Sequence, residues 1–108
     1  MKDIYIRQDI KDSWLYAEYS LFSRWLDLLM LSWHEPTKIL IEGMLISVPQ
    51  GCVAIRLEEL AKKWDIKKGN VSHFLSLLEE DELAKVSRRG KVTIINLESR
   101  YVRLHQDI

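Results

Sequence analysis

The chain has 108 residues, of which 47% are hydrophobic and 30% are charged, so the composition predicts one folded domain and excludes a disordered chain. Sixteen basic residues balance sixteen acidic residues, and the total charge therefore does not indicate a strongly basic nucleic-acid binder. The distribution is uneven, because residues 53–97 carry nine basic and seven acidic residues, whereas residues 1–52 carry five and seven.

Cys52 is the single cysteine, which excludes an internal disulfide and suits a reducing compartment. The sequence does not begin with the basic and apolar pattern of a signal peptide. The longest apolar stretch, residues 21–33, contains two charged residues and is too short to span a bilayer. We therefore expect a cytoplasmic protein without a membrane partner.

Near the N-terminus, Ile4 and Ile6 alternate with polar residues, which predicts a short strand. Ser20 is a candidate N-cap, and apolar residues then recur at helical spacing. This pattern predicts a buried helix with almost no solvated face. The helix is expected to end near residues 34–35, because Pro36 cannot continue it.

Residues 38–48 predict a β-hairpin, because two runs of β-forming residues flank Glu42 and Gly43. Gly43 provides the positive φ that a two-residue hairpin turn needs. A turn with proline and glycine follows at residues 48–51 and leads into a short apolar segment at residues 53–55.

The second half of the chain shows helical periodicity twice. Apolar spacing predicts one helix over residues 57–64 and another from residue 68 to about residue 81, with a three-residue break between them. Residues 84–96 then predict a second hairpin, whose turn contains Arg88 and Arg89.

The order strand, helix, short turn, helix and hairpin is that of a winged helix, and a three-residue break suits a helix-turn-helix whose second helix crosses the first. We therefore predict an α+β fold, a winged helix-turn-helix with an N-terminal helix and β-hairpin extension. Residues 1–97 are expected to form a single domain, with the extension at residues 1–52 and the winged-helix core at residues 53–97. Residues 98–108 are expected to form a C-terminal tail or the start of a linker.

The stretch VAIRLEELAKKWDIKKGNVSHFLSLLEEDEL followed by KVTIINL resembles the winged-helix N-terminal domain of phage-type replisome organisers and DnaD-like replication initiation proteins. IYIRQDIKDSWL and KILIEGMLISVPQGC are similar to the N-terminal half of that domain, so the resemblance covers roughly residues 4–101. It implies DNA binding or self-association, with replication proteins as further partners. The chain departs from the family pattern at Arg56 and Lys67, where serine or threonine usually opens each motif helix, and at Glu82, where glycine usually follows the recognition helix.

The outward face of the second motif helix is the first candidate for contact with DNA. With the apolar residues turned inward, the outward residues are Lys68, Asn70, Ser72, His73 and Ser76. Side chains of these types bond base edges and phosphates, although any solvated helix carries similar residues. The helix-turn-helix context favours entry of this face into the major groove.

Lys67 and Lys68 stand where the second helix lacks a capping side chain, so a DNA phosphate is an expected ligand at the positive end of that helix. Asp65 gives a competing interpretation, because its carboxylate would cap the helix if the helix began earlier. We favour the capping role for Asp65 and still expect both lysines to approach DNA.

The predicted wing carries Arg88, Arg89 and Lys91. Arginine enters a narrow, negative minor groove readily, which favours contact between the wing and DNA. The alternative is a solvated β-turn whose charges protect a sheet edge. We favour DNA, because the two basic clusters are expected on one side of the motif.

The sequence contains no recognisable constellation for catalysis or for a cofactor. The three histidines lie far apart, no spacing of histidine, cysteine and carboxylate suits a metal, and no P-loop is present. Cys52 follows a turn into a strand and is expected to be a small buried hydrophobe. We therefore predict a protein that is not an enzyme and takes no metal, cofactor or small-molecule substrate.

The leading interpretation is a non-catalytic module that binds double-stranded DNA in replication initiation, of a phage or mobile-element type. A winged-helix transcriptional regulator is an alternative, since the same module serves both. A further alternative is a protein–protein oligomerisation module that no longer binds DNA, which the zero net charge and the acidic run at residues 79–82 favour. A homodimer or higher oligomer would use the apolar helix or the first hairpin.

Overall fold

The architecture is α+β, in a computed structural model that describes residues 2–106. The helices are a 3-10 helix over Gln8–Asp12 followed by α1 (Trp14–Ala17), α2 (Tyr19–Leu31), α3 (Leu57–Trp64) and α4 (Lys68–Glu80). The strands are β1 (Lys2–Ile6), β2 (Thr37–Ile41), β3 (Met44–Val48), β4 (Cys52–Ile55), β5 (Lys85–Arg89), β6 (Val92–Asn96) and β7 (Val102–Gln106). None of the helices in this part of the chain is long and apolar enough to cross a membrane.

An antiparallel sheet with the strand order β4-β6-β5 forms the centre of the fold. Successive side chains of a strand point to opposite faces. Val53 and Ile95 therefore pack against the helices, while Ala54 and Ile94 pack against the β2–β3 hairpin. Because both faces are covered, β4 and β6 are nearly continuous apolar runs rather than alternating ones.

The main core lies between this sheet and the helices, with Trp25, Leu60 and Phe74 buried inside it. Trp64 of α3 packs edge-on against Phe74 of α4, with ring centroids 6.0 Å apart. The same indole donates its Nε1 hydrogen to Asp27 of α2 at 2.7 Å. One amphipathic side chain therefore fixes three helices relative to one another.

The β2–β3 hairpin confirms the predicted turn. Glu42 and Gly43 have φ values of 48° and 78°, and a two-residue type I′ turn needs a positive φ at both positions. On the inner face of the hairpin, Ile46 packs with Cys52 in a small buried cluster. Arg56, which precedes α3, forms an ion pair with Glu42, so the turn is held against the start of that helix.

Helix α2 begins and ends earlier than the sequence predicts. The predicted cap at Ser20 is wrong, because Glu18 holds the N-cap position without a side-chain hydrogen bond and Ser20 lies inside the helix. The helix also ends well before Pro36. Trp33 donates its backbone N–H to the carbonyl of Cys52 at 3.0 Å, and this tertiary bond turns the chain out of the helix.

Strand β7 corrects the expectation of a tail or linker at residues 98–108. It pairs antiparallel with β1 along its length, with Ile4 opposite Leu104. The last two residues of the predicted tail, 107–108, lie outside the described residues. The pairing joins the two ends of the described chain, so a pattern read within a short window contains no sign of it.

Asp81 joins α1 and the segment before β7 to the end of α4. Its carboxylate accepts a hydrogen bond from Trp14 Nε1 at 2.9 Å and two from the guanidinium of Arg100 at 3.0 and 3.1 Å. Arg100 also donates to the carbonyl of Asp81 at 2.8 Å. This member of the acidic run therefore has a structural role.

Helices α3 and α4 end with the same backbone motif. Asp65 follows α3 with a φ of 53°, and Glu82 follows the last turn of α4 with a φ of 57°. After α3, the N–H of Ile66 donates to the carbonyl of Ala61, as in a Schellman motif, and the equivalent bond follows α4. Asp65 thus ends α3 and gives α4 no cap, so the capping role favoured for it is wrong.

We expect Glu82→Gly to raise the free energy of unfolding by about 1 kcal/mol. Glycine removes the left-handed strain, about 1–2 kcal/mol, and an acidic charge at the negative end of α4. Together these gains exceed the loss of about 0.5–1 kcal/mol from the freer unfolded chain. Urea unfolding followed by circular dichroism measures the difference.

The control for this substitution is Glu80→Gly, in the last turn of α4. Here the helical backbone suits any residue, so glycine is expected to lower the free energy of unfolding by about 0.5 kcal/mol. If Glu82→Gly proved no more stable than the wild type, the left-handed conformation of Glu82 would not carry the strain assigned to it.

Candidate nucleic-acid interface

The connection between α3 and α4 positions the first candidate residues. It consists of Asp65, Ile66 and Lys67, the three-residue break that the sequence predicts. Lys67 occupies the N-cap of α4 without a side-chain capping bond, and Lys68 is the first helical residue. The missing cap is therefore confirmed, and both lysines are exposed.

A cleft of about 420 Å³ opens between the starts of α3 and α4 and the turn of the β5–β6 hairpin. Three of the predicted DNA-binding residues line it, namely Lys68, Arg88 and Lys91. Glu58 and Thr93, which the sequence did not indicate, lie in the same cleft. The tertiary structure therefore brings the basic groups of α4 and of the hairpin to one place.

The positive charge of the cleft is only partly neutralised. Lys68 Nζ lies 2.8 Å from Oε1 of Glu58. This hydrogen bond, a backbone N–H and the charges of Lys68 and Arg56 hold the pKa of Glu58 below its ordinary value. Arg88 and Lys91 form no ion pair with another residue of the described chain. Three cations thus face one carboxylate, which leaves the cleft attractive to anions.

Arg89 does not share this cleft, so the predicted cluster at the hairpin turn is divided. In β5, Arg88 pairs with Thr93 while Arg89 pairs with Val92. Neighbouring residues of a strand point to opposite faces, and Arg89 therefore lies on the face away from the helices. The expectation that all of these basic groups share one side is wrong for Arg89.

The remaining candidates lie along α4 outside the cleft. Asn70, His73 and Ser76 are exposed, and Ser72 is half-buried. The hydroxyl of Ser76 donates to the carbonyl of Ser72 at 3.0 Å. If His73 is counted as neutral, these side chains form a polar surface without formal charge. The acidic Glu80 follows one turn after Ser76.

Sequence reasoning missed Glu58 and Thr93 for different reasons. Thr93 is a hydroxyl within the apolar run of β6, and that interruption was a usable signal. Glu58 lies in the first turn of α3, where an acidic residue is commonly favoured by the helix dipole. Its position in a basic cleft depends on the packing of three separate elements, so no pattern in the neighbouring sequence indicates it.

Three residues of the acidic run at residues 79–82 have structural roles. Glu79 accepts a hydrogen bond from the backbone N–H of Val86 at 3.3 Å, Asp81 holds α1 and the segment before β7, and Glu82 forms the left-handed helix end. Among residues 2–106, no group of histidine, cysteine and carboxylate side chains could hold a metal ion.

The fold defines a small α+β protein with a basic cleft beside one helix. Comparisons with protein-family models, with curated proteins and with solved structures find no match to this chain. The functional argument therefore depends on the cleft, the polar face of α4 and the β5–β6 hairpin.

Cys52 lies outside this surface, in the small cluster beneath the β2–β3 hairpin. It is buried, as the sequence predicts. Burial raises the pKa of its thiol, and the charge of Glu98 raises it further. The thiol is therefore protonated at neutral pH and is a poor nucleophile there.

We expect the raised pKa of Cys52 to appear in the pH dependence of stability. The folded state favours the neutral thiol, so this contribution is complete below the unfolded-state pKa and is lost as the pH rises through the folded-state pKa. The free energy of unfolding of the wild type should therefore fall relative to that of Cys52→Ala as the pH rises through and above 9.0. Urea unfolding at successive pH values measures this, and a difference that stays constant with pH would contradict it.

Proposed function

We propose that this chain is a non-catalytic module that binds double-stranded DNA through a winged helix-turn-helix. In this proposal α3 and α4 are the helix-turn-helix, α4 is the recognition helix, and the β5–β6 hairpin is the wing. Support comes from the element order β4, α3, α4, β5 and β6 and from the three strands that these residues pair in one antiparallel sheet.

The observation that carries the proposal is the convergence of basic residues on one cleft. Lys68 comes from the start of α4, and Arg88 and Lys91 come from the hairpin. Phosphate contacts from a helix start and from basic side chains fix the register of a protein on a duplex. A single DNA backbone passing the cleft would meet both elements together.

The polar face of α4 supplies the groups for sequence recognition. The helix has 13 residues and is about 20 Å long, and a single helix fits the major groove of B-DNA. His73, Ser76 and Asn70 are exposed on it, and all three can bond base edges. The phosphate contacts therefore provide most of the affinity, and this face provides the sequence preference.

The context that we propose is replication initiation, following the resemblance to phage-type replisome organisers and DnaD-like proteins. A winged-helix transcriptional regulator would use the same surface. The two contexts differ in where the protein binds, since an initiation protein occupies a replication origin and a regulator occupies promoters. Mapping of the bound sites on the source genome separates them.

The proposal predicts strongly salt-dependent binding to duplex DNA. We expect the double variant Lys68→Gln/Arg88→Gln to bind more weakly and to reduce the slope of log affinity against log salt by about two, because each lost phosphate contact removes about one unit. Fluorescence anisotropy of a labelled duplex across a salt series measures both the affinity and the slope.

A matched control removes two positive charges elsewhere. Lys11→Gln/Lys38→Gln changes the net charge equally, and both lysines are exposed in the N-terminal half. Its slope should stay within about 0.5 of the wild-type value, since neither side chain lies in the cleft. Absence of wild-type binding at low salt, or an equal loss in both double variants, would refute the proposed interface.

A second candidate function is self-association, favoured by the outer face of the β2–β3 hairpin. Leu40 and Leu45 lie directly opposite each other on its two strands and are 71% and 59% exposed. Exposed apolar pairs on a short sheet are typical of contact surfaces.

If the hairpin mediates self-association, sedimentation should show a mass that rises with protein concentration. Leu40→Lys/Leu45→Lys should then remain monomeric, because the two like charges oppose close contact between copies. Ile46 is buried in the same strand and must stay unchanged so that the hairpin folds. A wild type that remains monomeric at all concentrations would rule this function out.

A further inference from the structure

Thr93 has an unusual environment for a hydroxyl. It is only 2% exposed, and it is the one polar residue in the buried set of the described chain. Its hydroxyl makes no hydrogen bond with any residue between positions 2 and 106, yet the residue lines the basic cleft. The hydroxyl oxygen is not fully enclosed, so it reaches the cleft, where a ligand can accept a hydrogen bond from it.

The sheet register places Thr93 directly opposite Arg88. Thr93 of β6 lies opposite Arg88 of β5 and opposite Ile55 of β4. Directly opposed residues share one face of a sheet, and in this register it is the face that packs on the helices, as Ile95 does two residues later. The hydroxyl and the guanidinium therefore belong to the same wall of the cleft.

Glu58 already provides the cleft with one anionic group. Its carboxylate is exposed and accepts from Lys68 at 2.8 Å. A carboxylate and a phosphate diester each carry one negative charge and accept hydrogen bonds from an ammonium group. Glu58 thus occupies, next to Lys68, the place that an oxyanion from a ligand would take.

We propose that this cleft is a subsite for one backbone phosphate of DNA. The hydroxyl of Thr93 donates one hydrogen bond to the phosphate, and Lys68, Arg88 and Lys91 supply the balancing charge. Glu58 competes with the phosphate for Lys68 and must release it when DNA binds. The subsite rests on the proposed function, and it assigns to Thr93 and Glu58 roles that winged-helix geometry alone does not require.

The first test is Thr93→Val, which keeps the shape of the side chain and removes the hydroxyl. We expect duplex DNA affinity to fall by roughly two- to tenfold, the range for one net hydrogen bond. The salt slope should not change, because the lost group is uncharged. Thr37→Val is the matched control, since Thr37 is a half-buried strand threonine in the other hairpin, and it should bind like the wild type.

The second test is Glu58→Gln, which removes the competing charge. We expect duplex affinity to rise by about fivefold, the order expected when a like charge a few ångströms from a phosphate is removed in water. Glu18→Gln, an exposed acid that precedes α2, is the charge-matched control and should change affinity little. A gain in binding cannot arise from loss of folding, so this variant covers the case in which Thr93→Val folds poorly.

The source of the anion is tested with inorganic phosphate. At equal ionic strength, replacing chloride by phosphate should weaken binding of the wild type to the duplex, and it should weaken Thr93→Val binding less. The same phosphate should raise the thermal unfolding midpoint of the wild type more than that of Thr93→Val. If phosphate had equally large effects on the wild type and on Thr93→Val, the role of Thr93 would be overturned.

The outcomes separate the subsite from the proposed function. If the wild type binds DNA with a steep salt dependence but Thr93→Val and Glu58→Gln behave like their controls, the subsite is wrong and DNA binding stands. If the wild type fails to bind the duplex, the proposed function fails, and the thermal response to inorganic phosphate then decides alone whether the cleft is an oxyanion site.

Discussion

The structure depends most on strand β6, which is hydrogen-bonded to β4 on one side and to β5 on the other and is covered on both faces. Ile95 enters the main core and Ile94 enters the cluster beneath the first hairpin. A slip of one residue would exchange these faces and expose apolar surface to water, so the register is strongly specified. The same register sets Thr93 opposite Arg88. The polar chemistry of the cleft is therefore fixed by the packing of apolar residues one and two positions away.

The termini of α3 and α4 are not optimised for stability alone. Helix α4 starts without a capping side chain at Lys67, and α3 and α4 both end in left-handed acidic residues, Asp65 and Glu82, where glycine would be less strained. In place of a cap, the start of α4 has the exposed ion pair between Lys68 and Glu58. Exposed pairs contribute little stability. Groups held this loosely can exchange partners, which suits a surface proposed to receive a phosphate.

Local features of the fold could be predicted from the sequence. The turn at Glu42 and Gly43, the break between α3 and α4 and the apolar face of α4 each follow from residues within a few positions of one another, and the structure confirms them. The predicted cap at Ser20 was wrong, because α2 already begins at Tyr19. The helix also ends before Pro36, where the backbone of Trp33 bonds to β4. Strand β7 was missed because its partner is at the other end of the chain.

By itself the sequence determined the type and order of most elements and the identity of most basic candidates, since periodicity and turn chemistry act over a few residues. Only the tertiary structure decided which candidates meet. It joined Lys68 to Arg88 and Lys91, placed Arg89 on the other face of the sheet, and added Thr93 to the cleft. Successive side chains of a strand point to opposite faces, so a shift of one residue changes the face. The contact between α4 and the β5–β6 hairpin joins residues that are far apart in the sequence. The physical reason is that burial of apolar side chains sets the register, and the polar groups take the positions that this register leaves to them.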